Sequence, residues 1–549
     1  MSDGEGWQTW RTVPGLVASG VARFGDAEAL VDGDLRLSFA QLAERVEHST
    51  RAAMAAGVEP GDRVAIWAPN LWEWIVGALG ALGAGGVLVP INTRFKGAEA
   101  GYVLEKSGAK VLLTVNGFLG FDYVGMLRTA MPGDGGRAGT GPVPGLPALE
   151  KIVVLRGAAP EGTGTWERYL EAGGAIDPAD AAARTAAVGP DDLSDIIFTS
   201  GTTGRPKGVM VTHAQTLRVF ETWSSFVGLT EGDRYLVVMP FFHTFGYKAG
   251  WMAALMRGAT TVPQAVFDVD EVLRNVEKER ISMLPGAPTL YMAILEHPDR
   301  SRYDLSSLRL AVTGAAAVPV EMIKRMRTEL TFETILTAYG LTECTGTATI
   351  CRPEDDPETI ANTSGRAIPD VEVLVVDDDG HEVPRGEPGE VVVRGYNVML
   401  GYFEDPEQTA ETIDADGWLH TGDIGVMDQR GYLDITDRKK DMIIRGGENI
   451  YPAEVENLLL GHGGIAQAAV VGVPDERFGE VVMAYVIPRA GAEVDPAEVI
   501  EWARANMANY KVPKFVEVVD ELPLNASGKV LKFELRERAS AAHAPSDNQ

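Results

Sequence analysis

The sequence predicts an α/β fold: a large N-terminal region on mostly parallel, doubly covered sheet, then a barrel-like antiparallel segment, then a small α+β unit. Three observations predict it. Over the first two-thirds, apolar runs of strand length alternate with stretches of helical spacing, which implies parallel strands covered on both faces. After about residue 365 the segments alternate or run apolar between turn clusters such as DDDG and GEPG, the mark of an antiparallel, barrel-like segment. Beyond the fully charged string at 437–441, DRKKD, lies a compact set of about 110 residues, enough for a small domain.

The elements follow in order. Spacing predicts a helix over 39–56 and a strand over 63–67. The uncharged run 74–93, WIVGALGALGAGGVLVPINT, is Gly-rich and interrupted by Pro90. A membrane-spanning helix needs about 20 mostly apolar residues, so a buried helix followed by a buried strand fits better. A helix at 97–106 and a strand at 110–115 come next. The Gly/Pro-rich stretch 132–148 reads as a mobile surface loop. Apolar runs at 195–199, 235–239 and 308–312 read as strands, and 319–330 as a helix with proline near its start, where the missing N–H costs nothing. In the barrel-like segment, strands are expected at 371–376 and 390–394. The C-terminal unit reads as strand 442–444, helix 452–460, strands 468–473 and 481–487, helix 496–507 and strand 515–519, with 540–549 a frayed tail.

Composition bounds the function. The chain has 549 residues, 45% hydrophobic and 23% charged, which excludes fibrous and mostly disordered classes. Its 49 basic and 78 acidic residues give a net charge of −29. So negative a surface repels nucleic acid and anionic lipid, so neither is an expected partner, and any anionic ligand must be held by local cations and backbone N–H groups. Two cysteines, Cys344 and Cys351, cannot make a disulfide framework, and no metal-binding Cys/His spacing occurs. With an acidic N-terminus lacking an apolar signal core, this predicts a cytoplasmic protein without integral membrane association.

The most informative string is 199–208, TSGTTGRPKG, directly after a predicted strand. It holds three glycines, four hydroxyls and two cations. Glycines let backbone amides approach a ligand, hydroxyls add hydrogen bonds, and cations offset phosphate charge. These properties describe a polyphosphate loop. It is not a Walker A loop, because Lys207 is followed by Gly208 rather than Ser or Thr.

This string resembles the phosphate loop of the adenylate-forming superfamily, which includes acyl-CoA synthetases, adenylation domains of peptide synthetases and beetle luciferases. Further motifs resemble that family's in its order: PFFH at 240–243, TGAA at 313–316, YGLTE at 339–343, WLHTGD at 418–423, DRKK at 437–440 and PLNASGK at 523–529. Residues 87–92 are similar as well, so the likeness covers nearly the whole chain.

The resemblance implies roles. Thr199, Ser200, Gly201, Thr202, Thr203, Gly204 and Lys207 would bind ATP phosphates, with Thr202 and Lys207 acting in catalysis. Gly314, Ala315 and Ala316 would flank the adenine, on which Tyr339 could stack. Gly340 and Thr342 would lead to the phosphates, and Glu343 would bind Mg²⁺, which prefers oxygen ligands. Asp423 would accept from the ribose hydroxyls, with Arg438 near the nucleotide. His243 would orient the carboxylate beside the acyl pocket. Lys529 would bridge carboxylate and α-phosphate, lowering the repulsion between two anions where charge develops. Gly446, Gly447 and Glu448 would line the path of the CoA thiol. Taken singly, each has an ordinary reading: a core tyrosine or histidine, a turn aspartate, a solvated lysine.

In fold, the resemblance implies a domain 1–437 with two doubly covered mixed sheets and a small β-barrel at about 365–437. A mobile domain 438–549 would hinge at 438–441 around Lys440. In activity it implies conversion of carboxylic acid, ATP and CoA to acyl-CoA, AMP and pyrophosphate through an acyl-adenylate. The alternative is a stand-alone adenylation enzyme loading a carrier protein. Phe241, Phe242, Tyr247 and Trp251 suggest an apolar acid. At whole-chain level the sequence is most similar to actinobacterial CoA ligases of lipid and steroid breakdown, which implies a fatty or steroid-ring-derived acid. The oligomeric state stays open, a homodimer included.

Overall fold

The computed structural model describes residues 6–132, 142–199, 206–314, 318–438, 441–445, 448–475, 477–524 and 530–543. By internal contacts the chain divides into two units: residues 1–372 with 393–419, and residues 373–392 with 420–549.

The first unit contains two mixed sheets. One has eight strands in the order Gly401–Tyr402, Lys207–Thr212, Leu193–Thr199, Val87–Pro90, Arg63–Trp67, Val111–Thr114, Lys151–Val154, Gly164–Thr165. Its strands from Leu193–Thr199 onward are parallel, while Lys207–Thr212 runs antiparallel to Leu193–Thr199, and Gly401–Tyr402 antiparallel to Lys207–Thr212. Successive residues Val64, Ala65, Ile66 and Trp67 are all fully buried. Since neighbours on a strand point to opposite faces, both faces are covered. The other sheet joins two four-stranded runs, Arg234–Val237 to Leu35–Ser38 and Leu310–Thr313 to Arg366–Ala367, through Met283, which bridges both Tyr235 and Leu310.

Local chemistry explains the helices. Ser38 caps Phe39–Ala55 in a capping box with Gln41, and Thr212 caps His213–Val227 in one with Gln215. The Gly-rich run forms the buried helix Trp72–Gly83 and the buried strand Val87–Pro90, as its sequence suggests. Glycine serves close packing there: a Cβ on Gly80 would stand 2.2 Å from Ser49 Oγ. Among the described residues no helix is long and apolar enough to cross a membrane, and both cysteines are buried and free.

The 132–148 stretch departs from the surface loop expected of it. Residues 133–141 lie outside the described residues, but Val143 and Leu146 are buried, and the Gly145 N–H donates to the Met131 carbonyl at 3.1 Å. Two apolar side chains within a Gly/Pro-rich run gain more from burial than the run gains from solvation.

In the second unit, most of a four-stranded sheet runs in the order Val371–Val376, Pro388–Gly395, Leu419–Met427, Leu433–Arg438. A further sheet is built on the hairpin Ile465–Asp475 and Gly479–Pro488, extended by Ile443–Arg445, Glu448–Ile450 and the parallel strand Phe515–Val518. Val470, Val482, Ala484 and Val486 pack with Val455, Leu459, Val499 and Ala503 from helices Pro452–Leu459 and Pro496–Asn506. The alternate residues Ala469, Val471, Val481, Met483 and Tyr485 pack with Leu535 and Ala539 of helix Lys532–His543. That helix carries residues 540–543 of the expected tail, because its apolar side is held on the sheet; residues 544–549 lie outside the described residues.

Candidate active site

Residues 200–205 lie outside the described residues; the antiparallel strands on either side of them are in a register that places Thr199 opposite Lys207. The first of these strands carries one member of a buried charge pair. Asp195 and Lys248 are 0% and 1% exposed, with Lys248 Nζ 2.9 Å from Asp195 Oδ1. Ser194 Oγ donates to Asp195 Oδ2 at 2.7 Å, and Lys248 Nζ donates to Thr216 Oγ1 at 3.0 Å. Burial pushes the Lys248 ammonium below its ordinary pKa, while the Asp195 charge opposes that shift. At Pro206 the carbonyl accepts from the Tyr102 hydroxyl at 3.2 Å.

The loop 339–345 reaches the same place. Strand Thr334–Tyr339 is parallel to Leu310–Thr313, so Tyr339 and Gly314 stand at the carboxyl ends of adjacent strands. Such ends are where open α/β sheets bind ligands. A Cβ on Gly340 would lie 2.4 Å from the Gly346 carbonyl oxygen, so only glycine allows this turn. Thr342 and Glu343 sit in the short turn Thr342–Cys344, half-buried. Glu343 Oε1 accepts from the Tyr402 hydroxyl at 3.0 Å and from the Thr199 hydroxyl at 3.4 Å. Lys207 Nζ donates to Gln408 Oε1 and stands 5.1 Å from the Tyr402 ring centre. Thus Thr199, Lys207 and Glu343 are brought together around Tyr402, whose ring faces Lys207 and whose hydroxyl holds Glu343. Burial, then the Glu343 charge, pushes the Tyr402 phenol well above its ordinary pKa, which keeps it a donor. A carboxylate among threonine hydroxyls is an all-oxygen set of the kind Mg²⁺ takes, so these residues fit that ion.

His243 caps the short helix Thr244–Gly246, its Nδ1 accepting the Phe245 N–H at 3.3 Å. The proton of the neutral ring is therefore on Nε2. The ring is exposed to water, yet enough protein surrounds it for desolvation to lower its pKa, the combination found in a cleft wall. Loop 339–346 packs beside it: a Cβ on Gly346 would meet Thr244 Cγ2 at 2.4 Å. Three of the aromatic rings expected around the acyl pocket lie deeper. Phe241, Tyr247 and Trp251 are fully buried and cluster with Trp74 at 5.5, 5.7 and 6.1 Å between ring centres, so they form core behind the histidine. Phe242 is half-buried.

In the second unit, Asp423 is buried and paired in register with Arg438 across two antiparallel strands. Its N–H donates to Thr421 Oγ1 at 3.1 Å, and that hydroxyl donates to the Val391 carbonyl at 2.6 Å. Asp437 Oδ2 accepts the Ala453 N–H at 2.9 Å, tying the end of strand Leu433–Arg438 to helix Pro452–Leu459. Arg445 donates to the carbonyls of Asn509 and Tyr510 at 3.2 and 2.6 Å. Leu524 and Val530, which flank the Lys529 segment, pair as an antiparallel bridge.

Ser200, Gly201, Thr202, Thr203, Gly204, Ala315, Ala316, Lys440, Gly446, Gly447 and Lys529 lie outside the described residues, as do the side chains of Arg438 and Glu448. Sequence reasoning missed Tyr402, Gln408 and the Asp195–Lys248 pair. The string GYFEDPEQ at 401–408, with its Asp-Pro helix start and nearby polar groups, was the available signal for the first two.

Residues 17–403 match the family model described as AMP-binding enzyme, and residues 454–529 that of the AMP-binding enzyme C-terminal domain. A Rhodococcus jostii protein named 3-[(3aS,4S,7aS)-7a-methyl-1,5-dioxo-octahydro-1H-inden-4-yl]propanoyl:CoA ligase is 50% identical over 96% of this chain and 98% of its own. A Mycobacterium tuberculosis protein of the same name is 49% identical over 96% and 99%. Among solved structures, an anthranilate CoA ligase in complex with anthranoyl-AMP superposes with a TM-score of 0.86 at 28% identity, covering 98% of this chain and 99% of its own.

Proposed function

Since the chain belongs to the AMP-binding enzyme family, we propose that it forms the CoA thioester of a bicyclic, steroid-ring-derived propanoic acid. The chain is an AMP-forming acid–thiol ligase that uses ATP and CoA. The observation that carries the substrate is the near-complete, half-identical match to two ligases named for a dioxo-octahydroindenyl propanoate.

A carboxylate is a poor electrophile. Its oxygen attacks the α-phosphorus of ATP, pyrophosphate leaves, and the mixed anhydride carries AMP as a good leaving group. The CoA thiol then attacks the acyl carbon, loses its proton, forms the thioester and releases AMP. No covalent enzyme intermediate is needed. Catalysis rests on positioning and on neutralising charge where it develops.

In this reading Lys207 and the hydroxyls from Thr199 to Thr203 hold the phosphates. Gly314, Ala315, Ala316 and Tyr339 seat the adenine, Gly340 and Thr342 lead toward the phosphates, and Asp423 and Arg438 hold the ribose side. His243 orients the acid from the cleft wall, its Nε2–H available to a carboxylate oxygen. Glu343 would hold Mg²⁺ beside the Thr199 hydroxyl, and the ion would supply phosphate charge neutralisation. Lys529 bridges the two reacting anions during adenylation. Residues 446–448 serve the thiol step after the module beginning near 438 turns about Lys440.

The test incubates the protein with MgATP, CoA and a panel holding the bicyclic dione propanoate, its ring-reduced analogue, ferulate and straight-chain fatty acids. The bicyclic acid should give the highest kcat/KM, by more than tenfold. A faster straight-chain acid would remove the substrate assignment and leave the ligase class standing.

A further inference from the structure

We propose that Tyr402 is a positioning residue for nucleotide activation: it aims Glu343 at the bound cation while shielding that carboxylate from Lys207. The inference rests on Glu343 being the Mg²⁺ ligand. Both hydroxyls that reach Glu343, from Tyr402 and Thr199, arrive at the same oxygen, Oε1. Among the described residues no hydrogen bond reaches Oε2. The carboxylate is thereby fixed at one oxygen and offers the other. A carboxylate held in this way pays less ordering entropy when it takes a metal.

The placement of Tyr402 is itself anchored from both sides. The Met399 N–H donates to the Glu343 carbonyl at 2.8 Å, and the Leu400 and Phe403 N–H groups donate to the Met210 and Gly208 carbonyls at 3.0 and 2.7 Å. A two-residue strand is therefore clamped between the loop that carries Glu343 and the strand that begins at Lys207. Tyr402 is only 7% exposed. The ring faces the ammonium of Lys207 while the hydroxyl on it holds the carboxylate. A direct ion pair between them would tie up both groups that the nucleotide needs. With the ring in place, Lys207 rests over its face and on Gln408 instead.

The test measures ATP affinity by calorimetry, first in EDTA and then across a Mg²⁺ titration, for the wild type, Tyr402→Phe and Glu343→Gln. Tyr402→Phe keeps the ring under Lys207 and removes only the hydrogen bond. It should bind ATP as the wild type does in EDTA, yet need about 10–100-fold more Mg²⁺ for half of the Mg²⁺-dependent tightening. Glu343→Gln should lose that tightening. If Glu343→Gln loses it while the Tyr402→Phe curve superposes on the wild type, Tyr402 positions nothing and the proposal is overturned alone. If Glu343→Gln itself responds like the wild type, the underlying ligand assignment fails and takes the proposal with it. Weaker ATP binding by Tyr402→Phe in EDTA would also overturn it, since the residue would then support the whole site and not the metal ligand.

Discussion

Asp195 and Lys248 are two opposite charges kept wholly out of water inside the first unit. Each is tolerable only because of the other and of Ser194 and Thr216. Lys248→Met should therefore destabilise the protein by about 3–5 kcal/mol, read as a lower urea midpoint. The double variant with Asp195→Asn should recover much of that loss, because no unpaired charge stays buried. A loss as large in the double variant as in the single one would contradict this account. Neither residue drew notice in the sequence, since a lysine in GYKAG and an aspartate in LSDIIF carry no local mark of burial. The candidate residues that the sequence singled out, such as Glu343, Lys207 and Asp423, sit in short strings with glycine and hydroxyls, where the local chemistry is unusual. Tyr402 meets Glu343 across 59 residues, a contact that only the fold creates.

Helix His213–Val227 shows how an element can store a pH dependence. His213 lies at its first turn, buried, with Nδ1 accepting the Val13 N–H at 3.2 Å. Burial is the main cause that lowers its pKa from 6.5 to about 4. Between those values the unfolded chain binds a proton that the folded one refuses, so stability falls as pH drops from about 6.5 toward 4. One pKa unit corresponds to about 1.4 kcal/mol, and His213→Gln should remove about 2 kcal/mol of the stability difference between pH 7 and pH 5. Urea unfolding at the two pH values reads it; an unchanged difference would refute it. Helix Trp72–Gly83 makes a steric prediction. Gly80→Ala would put a Cβ within 2.5 Å of Ser49 Cβ and 2.7 Å of its backbone carbon, so it should cost about 1–3 kcal/mol by overpacking, seen as a lower Tm. At this scale the sequence was most readable where periodicity was strong. Strands Arg63–Trp67 and Val371–Val376 and helix Phe39–Ala55 emerge within a residue of their expected ends. Helix Lys532–His543 was not seen, because in KFELRERASAAH only Leu535 and Ala539 pack on the sheet, Phe533 is exposed, and most of the rest is charged or small.

For the whole molecule, the site residues fall into two groups along the chain. Those proposed for phosphate and metal belong to the first unit, while Asp423, Arg438 and the stretches holding Lys440, residues 446–448 and Lys529 belong to the second. Lys529→Ala should slow acyl-adenylate formation about 100–1000-fold, measured by pyrophosphate exchange, while thioester formation from supplied acyl-adenylate stays within a few-fold of the wild type. Equal loss in both steps would contradict an alternation between two arrangements. The fold class was legible at this scale because alternating strand and helix patterns over several hundred residues leave few architectures. The identity of the acid was not, because a pocket is assembled from side chains far apart in sequence, and three of the rings read as its walls turn out to be core.

The most direct measurement follows all products when the protein meets MgATP, CoA and the bicyclic dione propanoate together. The account predicts acyl-CoA, AMP and pyrophosphate in equal amounts, with AMP release depending on both the acid and CoA. Formation of ADP and phosphate, or no CoA consumed with this or any other carboxylic acid, would contradict it.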